Sequence, residues 1–104
     1  MIYLQAMNHQ KTFETPILFL VFNRPDTTKA VLERILQIHP QKLYVVADGA
    51  RNGKPNDAIK CAETRALFEN LPSEIELHTL FRNENFGCKK SVSEGISWFF
   101  KNEK

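Results

Sequence analysis

Cysteine is scarce in this sequence: Cys61 and Cys88 are the two among 104 residues. They form neither a CxxC pair nor a disulfide framework, so two reduced thiols in a cytoplasmic protein are the plain expectation. Charge of one sign is scarce as well. Fourteen Lys and Arg stand against twelve Asp and Glu, a net charge of +2. That is too small to argue for nucleic acid or a membrane surface. Long hydrophobic runs are missing: the longest, ILFLVF, falls far short of the ~20 residues of a membrane helix. The first ten residues, MIYLQAMNHQ, carry no basic residue and no long apolar core, which argues against a signal peptide.

Several chemical signatures are absent too. No GxxxxGK[ST] occurs, which excludes a P-loop. No GxGxxG follows the first apolar run, where NRPD stands instead, so a dinucleotide fold of the common kind is not expected. There is no HExxH and no Cys/His cluster to suggest a metal. His9, His39 and His78 are scattered and read as core or solvated side chains.

What is present is a hydrophobic period that switches repeatedly. PILFLVF, residues 16–22, has the continuous apolar pattern of a strand covered on both faces. Asp26 can cap a helix from Thr27, whose stripe is Val31, Leu32, Ile35, Leu36 and Ile38; His39-Pro40 ends it. LYVVAD, residues 43–48, reads as a second buried strand. A polar loop, GARNGKPND, leads to a second helix capped by Asn56 or Asp57, with Ile59, Ala62, Ala66 and Leu67 inward. IELHTLF, residues 75–81, alternates at first and suits a strand nearer the sheet edge. A third helix places Val92, Ile96, Phe99 and Phe100 at helical spacing.

Strand and helix thus alternate three times, which predicts an α/β Rossmann-like fragment with a mostly parallel sheet and helices on both faces. Residues 1–15 are expected to form an arm, and residues 16–104 the domain. In such sheets ligands sit beyond the carboxyl ends of the strands. Three loops lie there, and they hold Arg24, Arg51, Lys54, Arg82, Lys89 and Lys90 against Asp26, Asp48, Asp57 and Glu84. Helix N-termini add unpaired N–H groups and partial positive charge, so this rim favours a phosphate beyond its formal charge.

Asp48 closes a buried strand, so its carboxylate is rigidly placed. It can accept hydrogen bonds from a nucleotide's base or ribose, or it can serve the turn before Gly49 and take nearby backbone N–H groups. Asn85-Phe86-Gly87 offers the same choice between a ligand loop and a plain helix entry. Lys89 and Lys90 fall in the first helical turn, where positive charge opposes the macrodipole unless an anion binds; surface exposure is the rival explanation.

PILFLVFNRPDTTKAVLERI, LYVVADGAR and LFRNENFGCKKSVSEGISWFF, in this order and spacing, resemble the amino-terminal half of a nucleotide-diphospho-sugar transferase of the GT-A fold. The likeness is to the bacterial family-2-like group described as hemolytic protein-like, and more distantly to N-acetylglucosaminyltransferase I. It covers residues 16–101. It implies that Phe22, Asn23, Arg24 and Pro25 cradle the base and ribose of a nucleotide-sugar donor, commonly a UDP-sugar. It implies that Asp48 binds the nucleoside, with Gly49 and Arg51 in the same loop. Asn85 and Gly87 match the family's Asn-x-Gly, and Lys89 or Lys90 stands where a basic residue approaches the base or diphosphate. Cys88 and the two Lys depart from the small, Ala-rich pattern there.

The resemblance also implies a fourth strand ending in an Asp-x-Asp or Glu-Asp-Asp motif that holds Mn²⁺ or Mg²⁺ against the diphosphate. The sequence reaches Lys101-Asn102-Glu103-Lys104 where that strand would start. The metal ligands, the acceptor half and its catalytic base are therefore expected to be missing. Without the ion to stabilise the leaving diphosphate, this chain alone is expected not to transfer sugar. An unpaired first strand is expected to drive homo-oligomerisation or pairing with the missing half. The alternatives are a non-catalytic α/β binding or regulatory module, for which a receiver-like acidic pair is poorly matched by NRPD, and a partner-bound fragment with a vestigial site.

Overall fold

The computed structural model describes residues 13–103. The expected arm over residues 1–15 lies outside the described residues up to position 12. Phe13 forms a parallel bridge with Pro40: its N–H donates to His39 O at 2.8 Å, and its carbonyl accepts from Gln41 N–H at 2.9 Å.

Six elements follow in the anticipated order: β1 (Ile17–Val21), α1 (Pro25–Gln37), β2 (Lys42–Ala47), α2 (Pro55–Ala66), β3 (Glu76–Phe81) and α3 (Cys88–Asn102). The strands form one all-parallel sheet in the order β1-β2-β3. Val21 pairs with Ala47 and Ala47 with Phe81, so the three strands end level and their loops leave from one line.

β2 is paired on both sides and buried from Leu43 to Ala47. Its alternation divides the core. Leu43, Val45 and Ala47 join Val21, Leu32 and Phe68 on the face covered by α1 and α2. Tyr44 and Val46 face α3: Tyr44 is stacked on His78, edge-on to Trp98 and Phe99, while Val46 lies under Gly95. Two right-handed crossovers in one direction put α1 and α2 on the same face, and α3 covers the other. β3 is an edge strand, as its alternation suggested. Among the described residues β1 pairs with β2 alone, and its Leu20 is 39% exposed.

Both helix caps differ from expectation. Pro25 and Pro55 occupy the first helical position, with Arg24 and Lys54 at the caps and no side-chain cap bond at either. Proline's fixed φ and missing N–H suit that position. Asp26 and Asp57 consequently lie inside the first turn. At the far end of α1, His39 adopts φ 53°, a left-handed step before Pro40.

The inward faces of two helices also differ. α2 buries Asp57, Cys61 and Thr64, leaving Ile59 59% exposed and Ala62 and Ala66 outward. α3 turns Ser91 and Gly95 inward and leaves Ile96 and Phe100 exposed. A Cβ at Gly95 would lie 3.1 Å from Val46 Cγ2 and 3.4 Å from Leu20 Cδ2, so small residues set the close approach of helix to sheet. In α1, Leu32 is buried and Ile35 and Leu36 pack on the core, but Val31 and Ile38 are exposed.

Candidate functional site

A cavity of about 580 Å³ opens beside the carboxyl end of β1, between α1 and α3. That volume lies in the range of small-molecule sites. Leu20, Val21, Phe22, Val31, Val46 and Val92 supply apolar walls; Asn23, Arg24, Thr27, Thr28, Asp48, Arg51, Asn85, Cys88 and Ser91 supply polar atoms. Seven of the sequence-predicted residues meet here: Phe22, Asn23, Arg24, Asp48, Arg51, Asn85 and Gly87. They come from all three loops, because the strands end level.

Asp48 ties two of those loops together. Its Oδ1 accepts from Gly49 N–H and Phe86 N–H, both at 2.9 Å. Its Oδ2 accepts from Asn85 Nδ2 and Gly87 N–H, both at 3.2 Å. The residue is only 6% exposed, so four protein donors occupy a buried carboxylate. Of the two roles open to Asp48 in the sequence, this geometry supplies the backbone N–H groups of the second. Asn85 Nδ2 also donates to Gly49 O at 2.8 Å.

Two glycines make this junction. A Cβ on Gly49 would lie 2.5 Å from the carbonyl carbon of Glu84, so only glycine lets the β3–α3 loop close over β2. Gly87 has φ 85° and ψ 155°, a region essentially confined to glycine, with nothing near its absent Cβ. Gly49 thus acts through packing and Gly87 through backbone conformation.

Asp57 is the second organising carboxylate. It accepts from Arg51 Nε at 2.7 Å, Arg51 Nη2 at 3.0 Å, Arg51 N–H at 3.2 Å and Asn23 Nδ2 at 3.0 Å. The Arg51 guanidinium, with help from Asn23, holds its carboxyl well below the usual carboxylate range. Asp57 in turn raises Arg51. The guanidinium lies 5.6 Å from the Phe22 ring centroid, so one residue of α2 fixes side chains from two cavity loops. The sequence marked Asp57 as a cap and as one of four rim carboxylates, not as the partner of Arg51. The presence of Arg51 six residues before it was the available signal.

Arg65 was not singled out from the sequence. Its Nη2 donates to Asp48 O at 3.1 Å and Arg82 O at 2.7 Å, and its guanidinium carbon lies 5.1 Å from the Phe81 ring centroid. It staples the ends of β2 and β3 beneath the site. Thr27, Thr28, Ser91 and Val92 were also missed; they line the cavity from the first two turns of α1 and α3.

Four expected residues lie elsewhere. Pro25 lines a polar cleft of about 470 Å³ between the starts of α1 and α2, shared with Asn23, Arg24 and Arg51. Lys89 and Lys90 line a shallow groove with Phe86, Ser93 and Glu94 on the outer side of α3. Lys90 Nζ sits 4.9 Å from the Phe86 ring centroid, and Arg82 lies 4.3 Å from it on its own contact. Gly49 is buried behind the cavity wall.

Among the described residues no three His, Cys, Asp or Glu side chains gather so as to hold a metal ion. No helix among them is long and apolar enough to cross a membrane. Comparison with protein-family models, with curated proteins and with solved structures returned no match to this chain.

Proposed function

We propose that the cavity beside β1 binds the nucleoside portion of a nucleotide-diphospho-sugar, with UDP-sugars as the first candidates. The observation that carries the reading is convergence: Asn23, Arg51, Asp48, Asn85 and Gly87, from three different loops, meet at one cavity at the carboxyl ends of parallel strands. Apolar walls suit the faces of a base, and amide groups suit its edge. Arg24 and Arg51 suit an attached phosphate. The sequence resemblance points the same way.

The proposal is binding rather than group transfer by this chain. Asp48, the carboxylate at the cavity wall, is saturated by four donors and offers no free base. The same saturation disfavours a receiver-like role, which needs an acidic side chain open to phosphorylation. Titration of the full chain with UDP, with and without Mn²⁺, tests the reading. Saturable binding lost in Asp48→Ala supports it, whereas no heat and no spectral perturbation at millimolar UDP refutes it.

A partner-bound role is the second reading. It is favoured by the edge of β1, which pairs with no strand but β2 among the described residues, and by exposed Leu20 and Val31 beside it. Ile17–Val21 holds no charged residue or proline of its own, and an apolar strand edge of that kind is a ready template for pairing. Light scattering that gives a dimer or larger species supports it; a strict monomer at all concentrations contradicts self-association.

A further inference from the structure

We infer that the cavity reads its ligand through the ligand's hydrogen-bond donors, and that Asp57 is the positioning residue that sets this polarity. The inference rests on the nucleoside reading above and deepens it.

The amide orientations follow from their neighbours. Carboxylates and backbone carbonyls can only accept hydrogen bonds. Asn23 faces Asp57 Oδ1 at 3.0 Å, and Asn85 faces Asp48 Oδ2 at 3.2 Å and Gly49 O at 2.8 Å. Each amide must therefore turn its NH₂ group into the protein, since a flip would set oxygen against oxygen. Asn85 thereby spends both of its N–H groups and Asn23 one of two, which leaves both Oδ1 atoms, and one N–H of Asn23, without a partner among the described residues. Asp48 contributes nothing further, because its own oxygens already take four donors. Between the β1 and β3 loops acceptors thus outnumber donors on these amides, two oxygens to one N–H.

A ligand group with N–H or O–H donors satisfies both Oδ1 atoms, whereas an acceptor-only group leaves both unpaired. On a uridine nucleotide such donors are the base ring N–H and the ribose hydroxyls. Asp57 maintains the arrangement for Asn23 while its other contacts hold Arg51 alongside Phe22. An amide at position 57 could present its own NH₂, which would let Asn23 flip and replace the acceptor of the β1 side with N–H donors.

The test compares UDP with N3-methyl-UDP, which lacks the base donor, and with 2′,3′-dideoxy-UDP, which lacks the hydroxyl donors. Affinities come from calorimetry, and the site from amide spectra of the full chain. At least one analogue should bind about tenfold or more weakly, the scale of losing one good hydrogen bond, and it identifies which donor is read. Equal affinity for all three overturns the inference and leaves nucleotide binding standing. No perturbation of Asn23 or Asn85 by UDP overturns the nucleoside reading, and this inference with it. In Asp57→Asn the ratio between UDP and the weaker analogue should collapse. A merely structural role would weaken all three ligands alike and leave that ratio unchanged, which would remove Asp57 from the account.

Discussion

At the scale of single residues, two glycines and one carboxylate shape the cavity rim, and they do so by different physics. Gly87 occupies a backbone region that side chains avoid, with open space around it. Gly87→Ala should therefore destabilise by about 1–3 kcal/mol through backbone strain alone, measured by urea unfolding. Gly49 has no such strain, but a Cβ there meets the Glu84 backbone at 2.5 Å. Gly49→Ala should displace the β3–α3 loop and reduce UDP affinity by more than it reduces stability. Asp48→Asn removes one of the two acceptor oxygens and leaves buried N–H groups unmatched, at about 1–3 kcal/mol by chemical denaturation. Wild-type stability in that variant would show that the four-donor cluster does not hold the loops.

At the scale of elements, α3 depends on its small residues. Gly95→Leu would force bulk between the helix and Val46 and Leu20, destabilising by about 1–3 kcal/mol. Phe100→Ser, on the exposed side, should change stability by no more than about 0.5 kcal/mol. Equal effects of the two changes would mean that the helix docks on its apolar stripe. That stripe explains what the sequence could and could not disclose. Val92, Ile96, Phe99 and Phe100 mark a helix by their spacing, yet Phe99 packs on Tyr44 while Ile96 and Phe100 stay exposed, so spacing alone does not choose the inward face. Close packing against Val46 selects Ser91 and Gly95 instead, and only the neighbouring strand reveals it. α2 is similar: Ile59 looks like core, but Asp57 is drawn inward by Arg51 and Asn23, and Cys61 and Thr64 follow it on the same face. The strands were easier to read, because continuous apolar runs leave them little choice but a buried parallel sheet. In the site, strand-end position was enough to pick Asp48, while Gly87 was marked by its turn chemistry and Asn23 by the resemblance. The ion pair of Arg51 with Asp57 was signalled by their six-residue spacing alone, and the staple by Arg65 depends on how the loops fold, which no local pattern encodes.

At the scale of the whole molecule, the end opposite the cavity is closed by a polar lock. Glu103 accepts from Tyr44 Oη at 2.5 Å and Lys42 Nζ at 3.0 Å, tying the end of α3 to the start of β2. Tyr44 first, and then Lys42, hold the Glu103 carboxyl below its ordinary 4.5. A depressed carboxylate adds stability above its unfolded value, and that contribution is lost as pH falls below 4.5. Burial first, and then Glu103, push the Tyr44 phenol up to about 12 from its ordinary 10. A raised phenol contributes stability that is present below 10 and lost as pH climbs from 10 towards 12. Thermal unfolding across pH should therefore decline on both limbs, and Tyr44→Phe should flatten the alkaline one. An unchanged alkaline limb in that variant would exclude Tyr44 as its source.

The cavity remains the feature on which function turns, and calorimetric titration of the full chain with UDP addresses it most directly. The account predicts saturable binding at one site per chain, with a dissociation constant of about 1 mM or tighter. It also predicts that amide shifts centre on Asn23, Arg51, Asn85 and Gly87. Binding whose shifts fall instead on Phe86, Lys89 and Lys90 along the outer side of α3, or no binding at all, would contradict it.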